Sequence, residues 1–480
     1  MIKTKSSLFL GILLFVSFVL RFFQLGYSDF YGDETKVFYL DKTKSAFVFL
    51  MDQRKGPVQF VVAWVMEQLT TVPHEFYTRV PFALAGFLSV IVFYFLSKKL
   101  FNDQISLIAT FLFSLNGFNV AFSRTVQYQS FLLLFGLLSV YLFLNKRYFL
   151  SAISLAISFL SHYDATFFLI PLLYFSFDPK ISKKELLVKF LVPFSSIIGI
   201  FYIPYVFYGY FQDNTFNYLV KRIGGDINTS KNYSAFTVFF YNPCFATFIF
   251  ILFPLTLLFK SIKKETSSNI KMLLLWFIVP FIIYQFFMTN PGTHIHNYFI
   301  PVYLLSGYAI SYLYELVTFK KVYMGIISVF FVLIILRTFN VYIPFFSTGY
   351  PWNVPDYADL HDKYQLFAYG LPYNRNWREI RQYFLSLDER VEGVFTNDND
   401  VAGSYYLREF NYTRPGTNFL PQYYIEIKDN QQFVDYKVVK DMTREEFYSN
   451  YGEVVKIGES VTIYKRLEPN TTRSLGSLLR

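Results

Sequence analysis

Eleven runs of apolar residues divide this 480-residue chain between residues 7 and 341. Lipid offers no water to backbone amides, so a chain threaded repeatedly through a bilayer must cross it as helices or as a closed barrel. A helical crossing takes about 17–25 residues. The runs lie at 7–25, 79–97, 105–121, 129–145, 148–161, 164–177, 190–210, 242–260, 272–289, 297–318 and 322–341. The fifth and sixth are short and can instead form a re-entrant pair. Composition agrees with a membrane protein. Only 16% of residues are charged, against about 25% in a typical soluble chain. Cys244 is the single cysteine, which excludes an intrachain disulfide and a thiolate cluster.

Lysine and arginine set the orientation, because short cytoplasmic loops collect them. One set of loops holds Lys3, Lys5, Lys98, Lys99, Lys146, Arg147, Lys180, Lys183, Lys184, Lys189, Lys260, Lys263, Lys264, Lys271, Lys320 and Lys321. The opposite short loops hold little beyond Arg124. The N-terminus is therefore expected in the cytoplasm, with an uncleaved first span, since no small-residue cleavage site follows it. Segments 26–78, 122–128, 211–241 and 290–296 then face outward, as does everything after residue 341. The net charge of +10 sits in loops and not in a stripe, which argues against nucleic acid as a partner.

The loop 26–78 is too apolar for a linker. Residues 34–51 and 57–70 each read as a helix lying in the membrane interface, with basic side chains toward head groups. Segment 211–241, with Gly224-Gly225, reads as a lid or a plain connector. After residue 341 Tyr, Asn, Asp, Arg and Pro become frequent. There the pattern predicts helices over 376–388 and 400–409, strands at 391–396 and 422–427, and a strand pair at 453–458 and 461–466. The expected fold class is an α-helical polytopic membrane protein of about 11 transmembrane helices. Its membrane domain covers 1–341, and a small C-terminal α/β extracytoplasmic domain covers 342–480.

The chemistry is expected just beyond the first span, where Asp33-Glu34 form an adjacent acid pair. An Asp after Gly32 can cap a following helix. The same carboxylate, held at the interface, can take a proton from an acceptor hydroxyl, with Glu34 orienting the acceptor. Lys55, Arg79 and Arg124 lie on the same expected side, with Arg21 near the outer end of the first span. Cations gathered there suit a phosphate, which guanidinium grips through two oxygens. His294, His296 and Tyr298 precede or open the tenth span, and Ser161-His162-Tyr163-Asp164 form another outer turn. No glycine-rich phosphate loop is present, which favours a substrate delivered by the membrane itself.

In order and sidedness these residues resemble the GT-C superfamily of polytopic glycosyltransferases, in the branch of protein O-mannosyltransferases and lipid A aminoarabinose transferases. The resemblance rests on Arg21, Leu25-Gly26, Asp33-Glu34, Pro57, Arg79-Val80-Pro81 with Gly86, Ser123-Arg124 with Tyr128, and His296, Tyr298 and Pro301. Lys55-Gly56 departs from the family's His-Pro, and Gln127 stands where arginine is common. The resemblance covers about residues 8–310. It implies a transferase that moves a sugar from a polyprenyl-phosphate-linked donor to an extracytoplasmic glycan, lipid or protein acceptor. Asp33 would be the general base, with inversion, and Lys55, Arg79, Arg124 and His296 would bind the donor phosphate. Tyr128, His162, Asp164, His294 and Tyr298 are further substrate-binding candidates. It implies a plasma-membrane location and no cofactor; a divalent metal is possible but not favoured, because no third acid is in view. Two other readings stay open: a lipid-linked glycan transporter and a non-catalytic envelope scaffold.

Overall fold

The computed structural model describes residues 2–30, 32–41, 43–70, 74–224, 252, 255–256, 267–288, 292–343, 374–398, 400–410, 412, 420–428 and 444–467. The expected run at 242–260 falls almost wholly outside these residues. Each of the other ten runs coincides with a helix or a broken pair of helices. In chain order these are α1 (Ile2–Phe22), α5 (Glu75–Leu100), α6 (Asp103–Leu115) with α7 (Gly117–Ser123), α8 (Gln129–Leu144), α9 (Tyr148–Ser161) and α10 (Leu169–Ser176). Then come α11 (Lys183–Phe207), α13 (Ser268–Phe287), α14 (His296–Leu316) and α15 (Lys320–Tyr342). Among the described residues, α5, α11, α13 and α15 are each long and apolar enough to cross a membrane alone, and α6 with α7 adds a fifth, bent by 58°. The others are shorter or more polar.

Burial explains the difference. Only 11% of the apolar window of α11 and 17% of that of α15 is buried, against 56% for α5. The first two turn their apolar faces outward, with Ile200 80% and Phe207 81% exposed; α5 is packed at the centre. Helix α14 is enclosed along most of its length, so it does not need an unbroken apolar surface. The bend between α6 and α7 is made by Asn116, whose side chain accepts the Phe118 N–H at 3.0 Å, while Asn119 donates to Phe113 O at 2.8 Å.

The loop 26–78 forms three short helices: α2 (Gly32–Thr35), α3 (Ala46–Met51) and α4 (Val58–Leu69). The second expected interfacial helix is α4. The first is confined to α3, because residues 36–41 and 43–45 are not helical, with Asp41 accepting the Thr43 N–H at 3.0 Å. Helix α12 (Asn217–Gly224) follows α11.

The tail carries every element the pattern predicted. Helices α16 (Trp377–Leu385), α17 (Asp400–Tyr406) and α18 (Arg444–Ser449) accompany a sheet of order β1-β2-β4-β3. Strands β1 (Val394–Thr396) and β2 (Tyr423–Ile427) are parallel. Strand β4 (Val461–Arg466) runs antiparallel to β2 and to β3 (Tyr451–Ile457). Gly458, at φ +59°, takes the left-handed turn between β3 and β4, a conformation cheap only without a Cβ.

Two apolar cores result. One fills the helix bundle. The other joins Phe30, Val37, Phe38 and Phe60 of the loop to Trp377, Ile380, Phe384, Ile425 and Ile463 of the tail. Phe30 is fully buried, edge-on to Tyr405 at 5.6 Å and to Phe38 at 5.3 Å. Burying such a side chain stabilises the contact by roughly 1.5–3 kcal/mol. Polar clamps complete it. The Arg375 N–H donates to Asp29 Oδ2 at 2.6 Å, its guanidinium donates to Phe30 O at 2.8 Å, and the Tyr406 hydroxyl accepts the Phe30 N–H at 2.8 Å. Loop and tail thus pack together at one end of the bundle and hold residues 29–30 in place, three residues before Asp33.

Candidate active site

Helix α2 is a single turn, and its two acids point apart because successive helical residues are rotated by about 100°. Glu34 turns inward. It is fully buried, receives the Arg79 guanidinium at 2.9 and 2.8 Å, and accepts the Val126 N–H at 2.8 Å. Asp33 turns outward, half exposed, with Lys36 Nζ 2.6 Å from its Oδ1. Asp33 therefore sits inside the turn and pairs with a cation, where the sequence pattern suggested a helix cap.

Three cations and two aromatic candidates from the sequence do not line the cleft that Asp33 enters. Arg79 also donates to Leu25 O, Ser28 O and Asp29 O. All five of its N–H groups are used, and it braces the turn that carries Asp33. Arg124 donates to Leu20 O, Phe23 O and Gln24 O at 2.9, 3.1 and 3.3 Å, capping carbonyls at the C-terminal end of α1. Arg21 folds back on Ser17 and reaches Ser114 O. His296 donates from Nδ1 to Thr293 O at 2.8 Å and lies against Phe122. Tyr298 accepts from Gln285 at 3.2 Å. Each is buried in the scaffold, and its sequence position alone shows its height in the membrane but not its direction.

Asp33 opens instead into a cleft of about 160 Å³ whose walls include Lys36, Arg54, Lys55, Gln127, Tyr128, His162, Tyr163, Tyr218, Arg222 and His294. Among its charged lining residues are one acid and four lysines or arginines, a balance suited to an anion. Lys55 Nζ donates to Gln127 Oε1 at 3.2 Å and lies 5.1 Å from the Tyr128 ring centre. Gln127, in the family's arginine position, is thus the acceptor that aims Lys55. Gly56 permits the approach: a Cβ there would lie 2.0 Å from Leu160 O at the end of α9. Burial lowers Lys55 to about 8, against the pull of Asp33 and with the help of Arg54 and Lys36. The Asp33 carboxyl meets an opposing burial effect, but Lys55, Lys36 and Arg54 hold it below the usual range.

Sequence reasoning missed Lys36, Arg54, Tyr218 and Arg222. Tyr218 is flanked by both guanidiniums, Arg54 at 4.0 Å and Arg222 at 4.6 Å from its ring centre. The available signal was the four-residue spacing of Tyr218 and Arg222, which places them on one helical face.

Across the cleft, the turn from α9 to α10 brings His162 against Tyr128, their rings stacked at 3.8 Å. Behind it lies Asp164, which receives His294 Nδ1 at 2.7 Å, Asn297 Nδ2 at 2.9 Å and the Tyr284 hydroxyl at 3.3 Å. Burial pushes His162 down to about 3, so it is neutral at pH 7. An apolar groove of about 260 Å³ leads away from the cleft. Phe159, Ile198, Phe201, Tyr202, Tyr205 and Phe211 line it, and it shares Arg54, Lys55 and Tyr163 with the cleft.

The cleft is thus cationic, holds the Asp33 carboxylate, and is lined by the loop after α1, the segment before α8, the turn after α9, helix α12 and the turn before α14. Residues 54–208 match the model of the dolichyl-phosphate-mannose-protein mannosyltransferase family. The structure is similar to that of ArnT from Cupriavidus metallidurans in the apo state, with a TM-score of 0.55 at 12% identity, covering 96% of this chain and 98% of that one. It is likewise similar to the same enzyme bound to undecaprenyl phosphate, with a TM-score of 0.56 at 12% identity and coverage of 95% and 97%. A comparison with curated protein sequences finds no match.

Proposed function

We propose that this chain is a membrane-embedded glycosyltransferase of the GT-C class, which moves a sugar from a polyprenyl-phosphate-linked donor to an extracytoplasmic glycan, lipid or protein acceptor. The observation that carries the reading is the continuity of cleft and groove: Asp33, Lys55 and Arg54 share one cavity, and the same two cations stand at the mouth of an apolar channel. A prenyl chain suits the groove and its phosphate suits the cations. The similar ArnT structure bound to undecaprenyl phosphate supports that assignment.

In the proposed reaction the acceptor hydroxyl gives its proton to an Asp33 oxygen as its own oxygen bonds to the anomeric carbon. The bond from that carbon to the phosphate oxygen breaks on the opposite face, so configuration inverts. Lipid phosphate leaves with the bonding electrons, and Lys55, Arg54 and Arg222 oppose its charge by fixed electrostatics. The low-lying Asp33 carboxyl keeps the base ionised at neutral pH. Glu34, Arg79 and Arg124 act as positioning residues. The lysine distribution supports a cytoplasmic N-terminus with the cleft and tail on the extracytoplasmic side.

The test is mass spectrometry of cell-envelope glycans with the wild-type chain, with Asp33→Asn and without the chain. The reading expects one sugar addition to vanish equally in the last two. Wild-type glycans in cells carrying only Asp33→Asn would refute Asp33 as base.

A further inference from the structure

The wall of the cleft formed by the turn after α9 and the turn before α14 is a row of imidazoles and phenols held from behind by one carboxylate. The His162 ring stacks on Tyr128 and packs against Tyr163, each ring centre 3.8 Å from its own, and the His294 ring centre is 5.3 Å away. All four line the cleft. Asp164, 1% exposed, fixes both imidazoles on their inner edges. His162 Nδ1 accepts the Asp164 N–H at 3.1 Å, so in the neutral ring the proton sits on Nε2. His294 Nδ1 donates to Asp164 Oδ2 at 2.7 Å, so in the neutral ring Nε2 keeps the lone pair. Neither Nε2 meets a protein partner among the described residues, and neither is enclosed as His296 Nε2 is. Two adjacent rings thus offer the cavity one N–H donor and one acceptor, which hydroxyl groups match because each both donates and accepts.

Charge narrows the ligand further. Asp164 also accepts Asn297 Nδ2 at 2.9 Å and the Tyr284 hydroxyl at 3.3 Å, donors that favour its ionised form. That buried negative charge opposes a second anion at the wall. On the other side, Lys55 Nζ lies 5.1 Å from the Tyr128 ring centre, and Lys36, Arg54 and Arg222 share the cavity. These oppose a cation. We infer that His162 and His294 select the transferred sugar, and that this sugar bears hydroxyls and no charge, so that a free amino sugar and a uronic acid are both rejected. The inference rests on the transferase reading and names the sugar class for it. With the donor phosphate at Lys55 and Arg54, where the groove opens, the sugar ring reaches the histidine wall. Asp164 acts as a positioning residue, because it touches the sugar only through the two imidazoles. A wall built to hydrogen-bond hydroxyls discriminates strongly, since a sugar lacking them leaves its polar atoms unpaired.

The experiment measures binding of defined lipids to the full chain in nanodiscs. The probes are undecaprenyl phosphate alone and the same lipid carrying glucose, mannose, galactose, N-acetylglucosamine, glucosamine or glucuronic acid. At least one uncharged sugar is expected to bind about 10-fold or more tighter than the bare lipid phosphate, the yield of two modest hydrogen bonds. The glucosamine and glucuronic acid lipids are expected to gain nothing over the bare one. His162→Phe keeps the ring stack without a ring nitrogen, and His294→Gln keeps a donor for Asp164. Each is expected to lose most of the gain, read as the ratio of sugar-lipid to bare-lipid affinity, with melting curves to show that the variants are folded. Asp164→Asn is expected to raise the affinity for the glucuronic acid lipid relative to the glucose lipid, a change of selectivity that lost packing does not produce. Folded histidine variants with the wild-type ratio, or a glucosamine lipid bound as tightly as the best uncharged one, would overturn the inference. Wild-type protein that binds undecaprenyl phosphate but gains nothing from any sugar overturns this inference alone. Wild-type protein that binds none of the lipids overturns the transferase reading as well.

Discussion

The Glu34 carboxylate lies between the Arg79 guanidinium, at 2.9 and 2.8 Å, and the Val126 N–H, at 2.8 Å, and so faces away from the cleft that Asp33 enters. Neighbouring acids therefore have separable duties. In the proposed reaction one carries the reactive oxygen, while the other ties the loop after α1 to α5 and to the segment before α8. Removing one partner of a buried ion pair costs about 3–5 kcal/mol, because the other charge is stranded. Glu34→Ala is expected to lower the melting temperature sharply and reduce yield in the membrane. Asp33→Asn breaks only an exposed pair with Lys36, worth about 0–1 kcal/mol. It is expected to melt like wild type while transfer falls by about 100-fold or more, the usual contribution of a general base. Melting curves in detergent, set beside transfer rates, separate the two; an Asp33→Asn protein that unfolds early would argue for a structural acid.

The cleft cations should give transfer an alkaline limit. Lys55, lowered to about 8 by burial, is protonated below that pH and loses its charge above it. Donor binding is expected to weaken as pH rises through 8, seen as a rising KM. The Asp33 carboxyl, held below its ordinary range, leaves the opposite limb well into acid. Lys55→Arg keeps its charge at any working pH and is expected to push the alkaline limit upward. A KM profile identical in wild type and Lys55→Arg would exclude Lys55 from the donor site.

Much of this was legible in the chain and some was not, for a physical reason. Apolar runs report membrane helices because the bilayer leaves the backbone no other choice, and the alternating pattern at 461–466 reported β4 because one face of it is buried. Direction was hidden. Arg79 and Arg124 sit at the height expected for phosphate ligands, yet three different carbonyls claim each of them. Those carbonyls come within reach only because α1 ends and the chain turns, a feature of tertiary path and not of spacing. Arg54, Tyr218 and Arg222 meet across a gap of more than 160 residues, which no local pattern can show. Asp33 stood out because it lies beside Glu34 just past the end of α1, while most of the residues that share its cleft are distant in sequence.

Gly56 offers a test of how tightly Lys55 is placed. Its missing Cβ would meet Leu160 O at 2.0 Å and the Leu160 carbonyl carbon at 2.4 Å. Both are backbone atoms, so no side chain can rotate out of the way. Gly56→Ala must move the loop off the end of α9. Such overpacking costs about 1–3 kcal/mol, while displacing a binding group by about 1 Å can cost 100-fold in rate. The variant is expected to fold, melt slightly early and lose most of its kcat/KM. Unchanged kinetics would mean that the position of Lys55 is not critical.

Asp29 gives the contact between loop and tail its own pH dependence. Its Oδ2 accepts the Arg375 N–H at 2.6 Å, while its buried Oδ1 has no hydrogen-bond partner among the described residues. Burial raises its carboxyl to about 6, against the charge of Arg375. In the unfolded chain it titrates near 4. Between those values the folded protein binds a proton that the unfolded chain has released. Stability therefore falls as pH rises from about 4 to 6 and levels off above 6. Two units correspond to about 3 kcal/mol at most. Asp29→Asn keeps an oxygen for the Arg375 N–H and never ionises. It is expected to abolish this slope and to match wild type near pH 4 while exceeding it above pH 6. Thermal melting from pH 4 to 7.5, followed by the fluorescence of Trp377 in the shared core with the other tryptophans replaced, would measure it; parallel curves for the two proteins would place the Asp29 carboxyl back in its ordinary range.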